Sequence, residues 1–292
     1  MTSGEVSTVV MKWNPDFEIA AFLVEIVFLS FYYARKHIPT KQNRYFVLSL
    51  IMAFFVTAFD LLSAYVDSYY TKFPMALVHI VNVVFFISAS ALSVSLFLYI
   101  LSLSKQLAIL KTPLFAVYCI PFVATELMAL SSPFTGFFYY FDAVSGYMHG
   151  QGYLINFAFN AFHILLAFCY IAVYRNNIST LQRRGIYAFM ICIVAGAILQ
   201  SCFFRWILLT NAVTCFAIMI VYMSLQNPDL YIDKPTELFN MDAFYEMMPE
   251  VISSGRPYAC FGICIDNLRA MQSIYGNEEV DHALAGAGKY IK

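Results

Sequence analysis

Glu25, Asp60 and Glu126 are carboxylic acids set inside long apolar runs, where an ionisable group is costly and marks a candidate for function. His79 and Asn82 stand at the start of a third run, Asn156, Asn160 and His163 in a fifth, and Gln200 and Arg205 close a sixth. The spacing of Asn156, Asn160 and His163 is i, i+4, i+7, which makes one helical stripe. Facing a cavity, such groups bind protons, cations or small polar ligands. Facing each other across helices, they fix packing by hydrogen bonds. Asn156, Asn160 and Gln200 fit the packing reading. The three carboxylates, with Arg205 as their nearby fixed cation, fit the ligand reading. The candidate ligand site is therefore Glu25, Asp60, His79, Glu126, Asn160, His163 and Arg205, expected to converge on one cavity. A carboxylate turned to lipid instead would cost about 2.5–3.5 kcal/mol each.

The elements that must position these residues are transmembrane helices. A chain with 61% hydrophobic and 12% charged residues is not a water-soluble globule. A bilayer core about 30 Å thick needs roughly 20 apolar residues as helix. Runs of that kind occur near 17–34, 45–66, 75–103, 113–131, 153–174, 185–204 and 208–226, which predicts an all-α bundle of seven spans. Loops after the first, third and fifth hold nine basic residues: Arg35, Lys36, Lys41, Arg44, Lys105, Lys111, Arg175, Arg183 and Arg184. The other side holds three, Lys12, Lys72 and Arg205. That bias places the N-terminus outside and the C-terminal piece in the cytoplasm. Counted at about 1.5 Å per residue, Glu25 lies about 12 Å from the outer edge, Asp60 about 10 Å and Glu126 about 8 Å.

Residues 1–16 lack a basic n-region and carry Glu5, so the first run reads as an uncleaved anchor. The seven cysteines avoid the outside loops and have no metal-ligand spacing, so neither a disulfide framework nor a metal site is expected. Residues 134–152 alternate aromatics around Asp142-Ala-Val-Ser-Gly146, which predicts a β-hairpin with a four- to five-residue turn. Two uses of it stay open: a lid over the cavity, or aromatics of the interfacial belt. Asn227-Pro-Asp-Leu-Tyr231 copies a motif of G-protein-coupled receptors but lies past the last run, and Pro228 there reads as a helix stop. Residues 208–226 contain no lysine, which excludes an ordinary retinal protein.

After Pro228 the composition turns mixed. Asn240 is placed to cap a helix over about 241–253, broken by Gly255-Arg-Pro257. Residues 258–265 form an apolar run of strand length, followed by a helix to Tyr275, a turn at Gly276-Asn277 and a helix from about 279. One strand cannot close a sheet, so the tail is expected to be part of a larger α/β domain.

Asp233-Lys-Pro-Thr-Glu-Leu-Phe-Asn240 resembles the DxLTGLxN opening of GGDEF domains, the cyclic di-GMP synthases. Ile263-Cys-Ile-Asp-Asn-Leu-Arg-Ala-Met-Gln-Ser-Ile-Tyr-Gly276 resembles that family's DIDxFKxxNDxxG segment. The resemblance covers about residues 229–292. It implies nucleotide contacts at Gln272, which stands for the guanine-binding asparagine, and at Asp281. It also implies departures. The metal-binding aspartate falls on Cys264, a poor ligand for Mg²⁺. The motif's Leu becomes Pro235, its Gly becomes Glu237, and the name-giving loop would lie beyond residue 292. Neither catalytic residues, cofactor nor bound metal is then expected in this chain.

The preceding spans resemble the seven-helix sensor regions found before GGDEF or histidine-kinase modules in bacteria. The reading that results is a signalling receptor of the bacterial cytoplasmic membrane. A sensor domain over 1–228 takes an extracellular small-molecule ligand and acts on a truncated, degenerate GGDEF-like domain over 229–292. GGDEF modules work in pairs, which implies a homodimer; lipid is a partner and nucleic acid is not. Two alternatives stand beside it: the front part of a longer cyclic di-GMP synthase or phosphodiesterase, and a small-solute transporter.

Overall fold

A computed structural model of the chain describes residues 14–178, 180–202, 207–225, 228–255, 257–259, 261 and 265–291. It contains the helices α1 (Asp16–Ala34), α2 (Lys41–Ser68), α3 (Met75–Leu103) and α4 (Pro113–Thr135). A hairpin of β1 (Tyr139–Asp142) and β2 (Gly146–His149) follows, then α5 (Tyr153–Val173), α6 (Thr180–Cys202) and α7 (Thr210–Leu225). The tail adds α8 (Met241–Ser253), α9 (Leu268–Tyr275) and α10 (Asn277–Ile291). Among the described residues, six helices, α1 to α6, are long and apolar enough to cross a membrane. This is an all-α membrane bundle carrying a small two-stranded sheet. The seventh predicted span is α7, with 16 residues and a length of about 24 Å.

The bundle is apolar outside and partly polar inside, the reverse of a soluble protein. Leu23, Val27 and Phe31 of α1, and Ile120 and Leu127 of α4, are exposed, while Ser49, Thr57, Asn82, Ser90 and Thr125 are buried. The buried hydroxyls fit because each can donate to a carbonyl three or four residues back, as Ser49 does to Tyr45 at 3.0 Å and Thr125 to Pro121 at 2.9 Å. Among the apolar clusters of the described residues, two are the largest. Tyr32, Phe46, Phe97, Tyr99, Ile171 and Ile186 belong to the one at the end away from the hairpin. Phe86, Ala129, Phe138, Tyr139 and Tyr147 form the other, under the hairpin.

The hairpin pairs Tyr139 with His149 and Asp142 with Gly146 in antiparallel register. Three residues, 143–145, link the strands, fewer than the four to five predicted. Gly146 adopts φ +68°, and this left-handed residue lets a three-residue loop close with the twist of the strands. Asp142 Oδ2 accepts from Val144 N at 3.0 Å and Ser145 N at 2.8 Å, and these amides hold its carboxyl below the usual range. One strand face packs inward, with Tyr139 and Tyr147 buried and Tyr140 exposed.

The chain divides into two compact units. One comprises the described residues up to Ala34 together with Arg44–Leu225. The other comprises Arg35–Asn43 together with the tail from Pro228. Within this second unit Asn240 caps α8 as predicted, accepting from Ala243 N at 3.0 Å. Arg35 lies 3.5 Å from Asp229 and Lys36 3.8 Å from Glu237, and Lys41 N donates to Glu250 at 2.8 Å. Of the predicted strand 258–265, residues 260 and 262–264 lie outside the described residues. Tyr258, Ala259, Phe261 and Ile265 take no regular secondary structure.

Candidate functional site

Glu18 sits in the first turn of α1, Asp60 in the last third of α2 and Asn211 in the first turn of α7. All three are at the hairpin end of the bundle, where Asn14 also bridges to Ile207. Asn211 Nδ2 donates to Glu18 Oε1 at 3.0 Å and to Asp60 Oδ2 at 2.8 Å. Both bonds come from the one nitrogen, so the two carboxyl groups lie side by side around it. Glu18 is 1% exposed, and no N–H or O–H donor among the described residues reaches its Oε2. One acid–amide cluster therefore ties three helices.

Glu25 stands two turns along α1 from Glu18 on the same face, equally buried. Thr57 Oγ1 of α2 donates to its Oε1 at 3.2 Å, and its Oε2 has no donor among the described residues. Next to α1 and α2, Asn82 Nδ2 of α3 donates to Asp67 Oδ1 of α2 at 2.7 Å. His79 Nδ1 lies 3.2 Å from the Tyr139 hydroxyl. Burial, with Asp67 behind it, pushes the Tyr139 phenol up, so it stays protonated and able to donate.

A second set of contacts links α3, α4 and α5. Ser90 Oγ donates to Glu126, Ser93 Oγ to Asn160 Oδ1 at 3.0 Å, and Asn160 Nδ2 to Asn156 Oδ1 at 3.2 Å. His163 is buried, with Nδ1 3.1 Å from the Phe159 carbonyl and Nε2 3.1 Å from the Tyr118 carbonyl. A neutral ring can donate to one of these at a time; an imidazolium donates to both. Gln200 accepts from Leu209 N at 2.9 Å and Thr210 N at 2.6 Å, so it caps the start of α7.

The predicted site residues are thus distributed over separate hydrogen-bonded groups. Asp60 belongs with Glu18 and Asn211, Glu25 with Thr57, His79 with the hairpin, Glu126 with Ser90, and Asn160 with Ser93 and Asn156. His163 turns to backbone carbonyls, and Arg205 lies outside the described residues. In the tail, Gln272 is half-buried on α9 and Asp281 exposed on α10; Cys264 lies outside the described residues.

Glu18, Asp67 and Asn211 are among the polar residues that sequence reasoning passed over. The signal for Glu18 was its spacing of seven from Glu25, which puts both acids on one stripe of α1. No such signal marked Asn211, whose partners are 193 and 151 residues away in sequence. No protein-family profile, curated protein or solved structure matches the chain.

Proposed function

We propose that this protein is a membrane signalling receptor. Its bundle, completed as seven spans by α7, takes a small extracellular ligand and passes the signal to a cytoplasmic GGDEF-type module in a homodimer of the bacterial cytoplasmic membrane. One observation carries this reading. The helices clasped by the Glu18–Asp60–Asn211 cluster are α1, α2 and α7, and the second unit consists of the segments that continue from them, Arg35–Asn43 and the tail. A change in the clasp alters three helices that run without a long linker into that unit.

Two details favour a GGDEF-type tail. The position where the family motif has Gly falls on Glu237, whose φ of +53° is the left-handed conformation that favours glycine. Asp233 Oδ2 accepts from Thr236 Oγ1 at 2.6 Å, and Asn240 closes the motif by capping α8. A seventh crossing is favoured because Lys41, one crossing into the chain, bonds Glu250 of the tail within one unit. Both must then lie on one side of the membrane. Hydrogen exchange on the full chain in lipid nanodiscs tests the coupling. Asn211→Ala is expected to change amide protection within 229–291 as well as in α1 and α7. Protection changed only in the bundle would overturn the receptor reading.

A further inference from the structure

We propose that Glu18 and Asp60 form a proton-binding site, one proton held between the two carboxyls and clamped by Asn211. The argument is a count of donors. Two ionised carboxylates are acceptors only. Between Glu18 and Asp60 the described residues offer one side-chain donor, the Asn211 amide, and its two N–H bonds go one to each acid. Both acids nevertheless meet at one nitrogen, Asn211 Nδ2, at 3.0 and 2.8 Å, and Glu18 Oε2 is buried without a donor among the described residues. Two buried acceptors sharing one amide nitrogen lack one hydrogen. Placed on either carboxyl, a proton supplies it and also removes one of two like charges from an apolar interior.

The surroundings favour a proton over a larger cation. Facing the pair are Glu25 on α1, Tyr153 on α5 and Tyr147 on the hairpin. None of these is a base that would relieve the two acids. Among the described residues no three His, Cys, Asp or Glu side chains are arranged to hold a metal ion. On deprotonation the hydrogen passes to water and leaves two carboxylates that repel across the α1–α2 contact while Asn211 still bridges them. Because one acid is on α1, the other on α2 and the clamp on α7, uptake or loss of this one proton changes the spacing of three helices.

Infrared difference spectroscopy of the full chain in lipid, titrated with base, tests this without relying on the receptor reading. The unaltered protein is expected to show a protonated-carboxyl C=O band at neutral pH that shifts in D₂O and disappears on alkalinisation. The same band should be missing from both Glu18→Gln and Asp60→Asn. No such band in the unaltered protein overturns the site, whatever the variants do. A band lost in one variant but kept in the other overturns the sharing, since it then belongs to a single acid. Thermal unfolding gives a second measurement. Gln at position 18 supplies the missing donor permanently, so the alkaline loss of melting temperature seen in the unaltered chain should vanish in Glu18→Gln. Its persistence there would overturn the proposal. Absence of the band leaves the hydrogen-exchange coupling untouched, so the two proposals fail separately.

Discussion

Hydroxyl groups serve two of the acids in this bundle. Thr57 serves Glu25 and Ser90 serves Glu126, yet each hydroxyl has one hydrogen and also a carbonyl within reach, Ala53 O at 3.1 Å for Thr57 and Ile87 O at 3.0 Å for Ser90. Each acid therefore competes with its neighbour's own helix for a donor, and the acid can be released without leaving that hydroxyl unpaired. His37, in the loop after α1, shows a different balance. Burial holds its imidazole below the ordinary 6.5; the Arg35 carbonyl at 3.0 Å opposes this, and the Arg35 charge adds to it. The unfolded chain then takes up a proton near 6.5 and the folded chain only at lower pH. Where the unfolded state binds more protons, stability rises with pH. His37's contribution is thus complete above 6.5 and is lost as the pH falls toward the folded value. An NMR titration of the ring should give a midpoint below 6.5, and His37→Gln should flatten the acid side of the stability profile. A midpoint at or above 6.5 would remove the argument.

Among the elements, the hairpin is fixed by close backbone approach. A Cβ at Gly150 would meet Phe137 O at 2.2 Å and Gly136 O at 2.3 Å, both backbone atoms that cannot rotate aside. Gly150→Ala should therefore destabilise the bundle by about 1–3 kcal/mol, as overpacking does. Gly286 on α10 has nothing within 4 Å of its Cβ position, so Gly286→Ala should stabilise the tail by roughly 0.5–1 kcal/mol. Differential scanning of both variants checks the contrast; equal shifts would contradict the packing. These elements were unevenly legible in the sequence. The bounds of α1 to α5 followed from apolar runs ended by charged, Pro or Gly residues, and α8 from the Asn240 cap. The hairpin was readable from alternating aromatics, but its loop length depended on the φ of Gly146, which residue type alone does not specify. The polar site was legible as a set of costly residues and illegible as pairs. Asn211 meets Glu18 and Asp60 only because α7 returns beside α1 and α2, which is a tertiary fact.

At the scale of the whole molecule, the sidedness of the bundle decides what the tail can do. The structure groups Arg35–Asn43 with the tail from Pro228, and Arg35–Asp229, Lys36–Glu237 and Lys41–Glu250 are contacts inside that unit. The segment 35–43 follows one crossing of the membrane. The tail follows six long helices and α7. Six crossings would return the chain to the side of its N-terminus, opposite 35–43, so the grouping favours the proposed crossing by α7. With 16 residues, about 24 Å, α7 falls short of a core about 30 Å thick, and local thinning of the bilayer at its ends can make up the difference. Under the proposed receptor reading, the nine-to-three excess of Lys and Arg puts the tail and 35–43 in the cytoplasm and the hairpin outside. A reporter fused after residue 226 should read cytoplasmic, and one inserted at Ser145 external. Both reporters on one side would mean that α7 does not cross, and the exchanged labelling would mean that the basic residues had been misread.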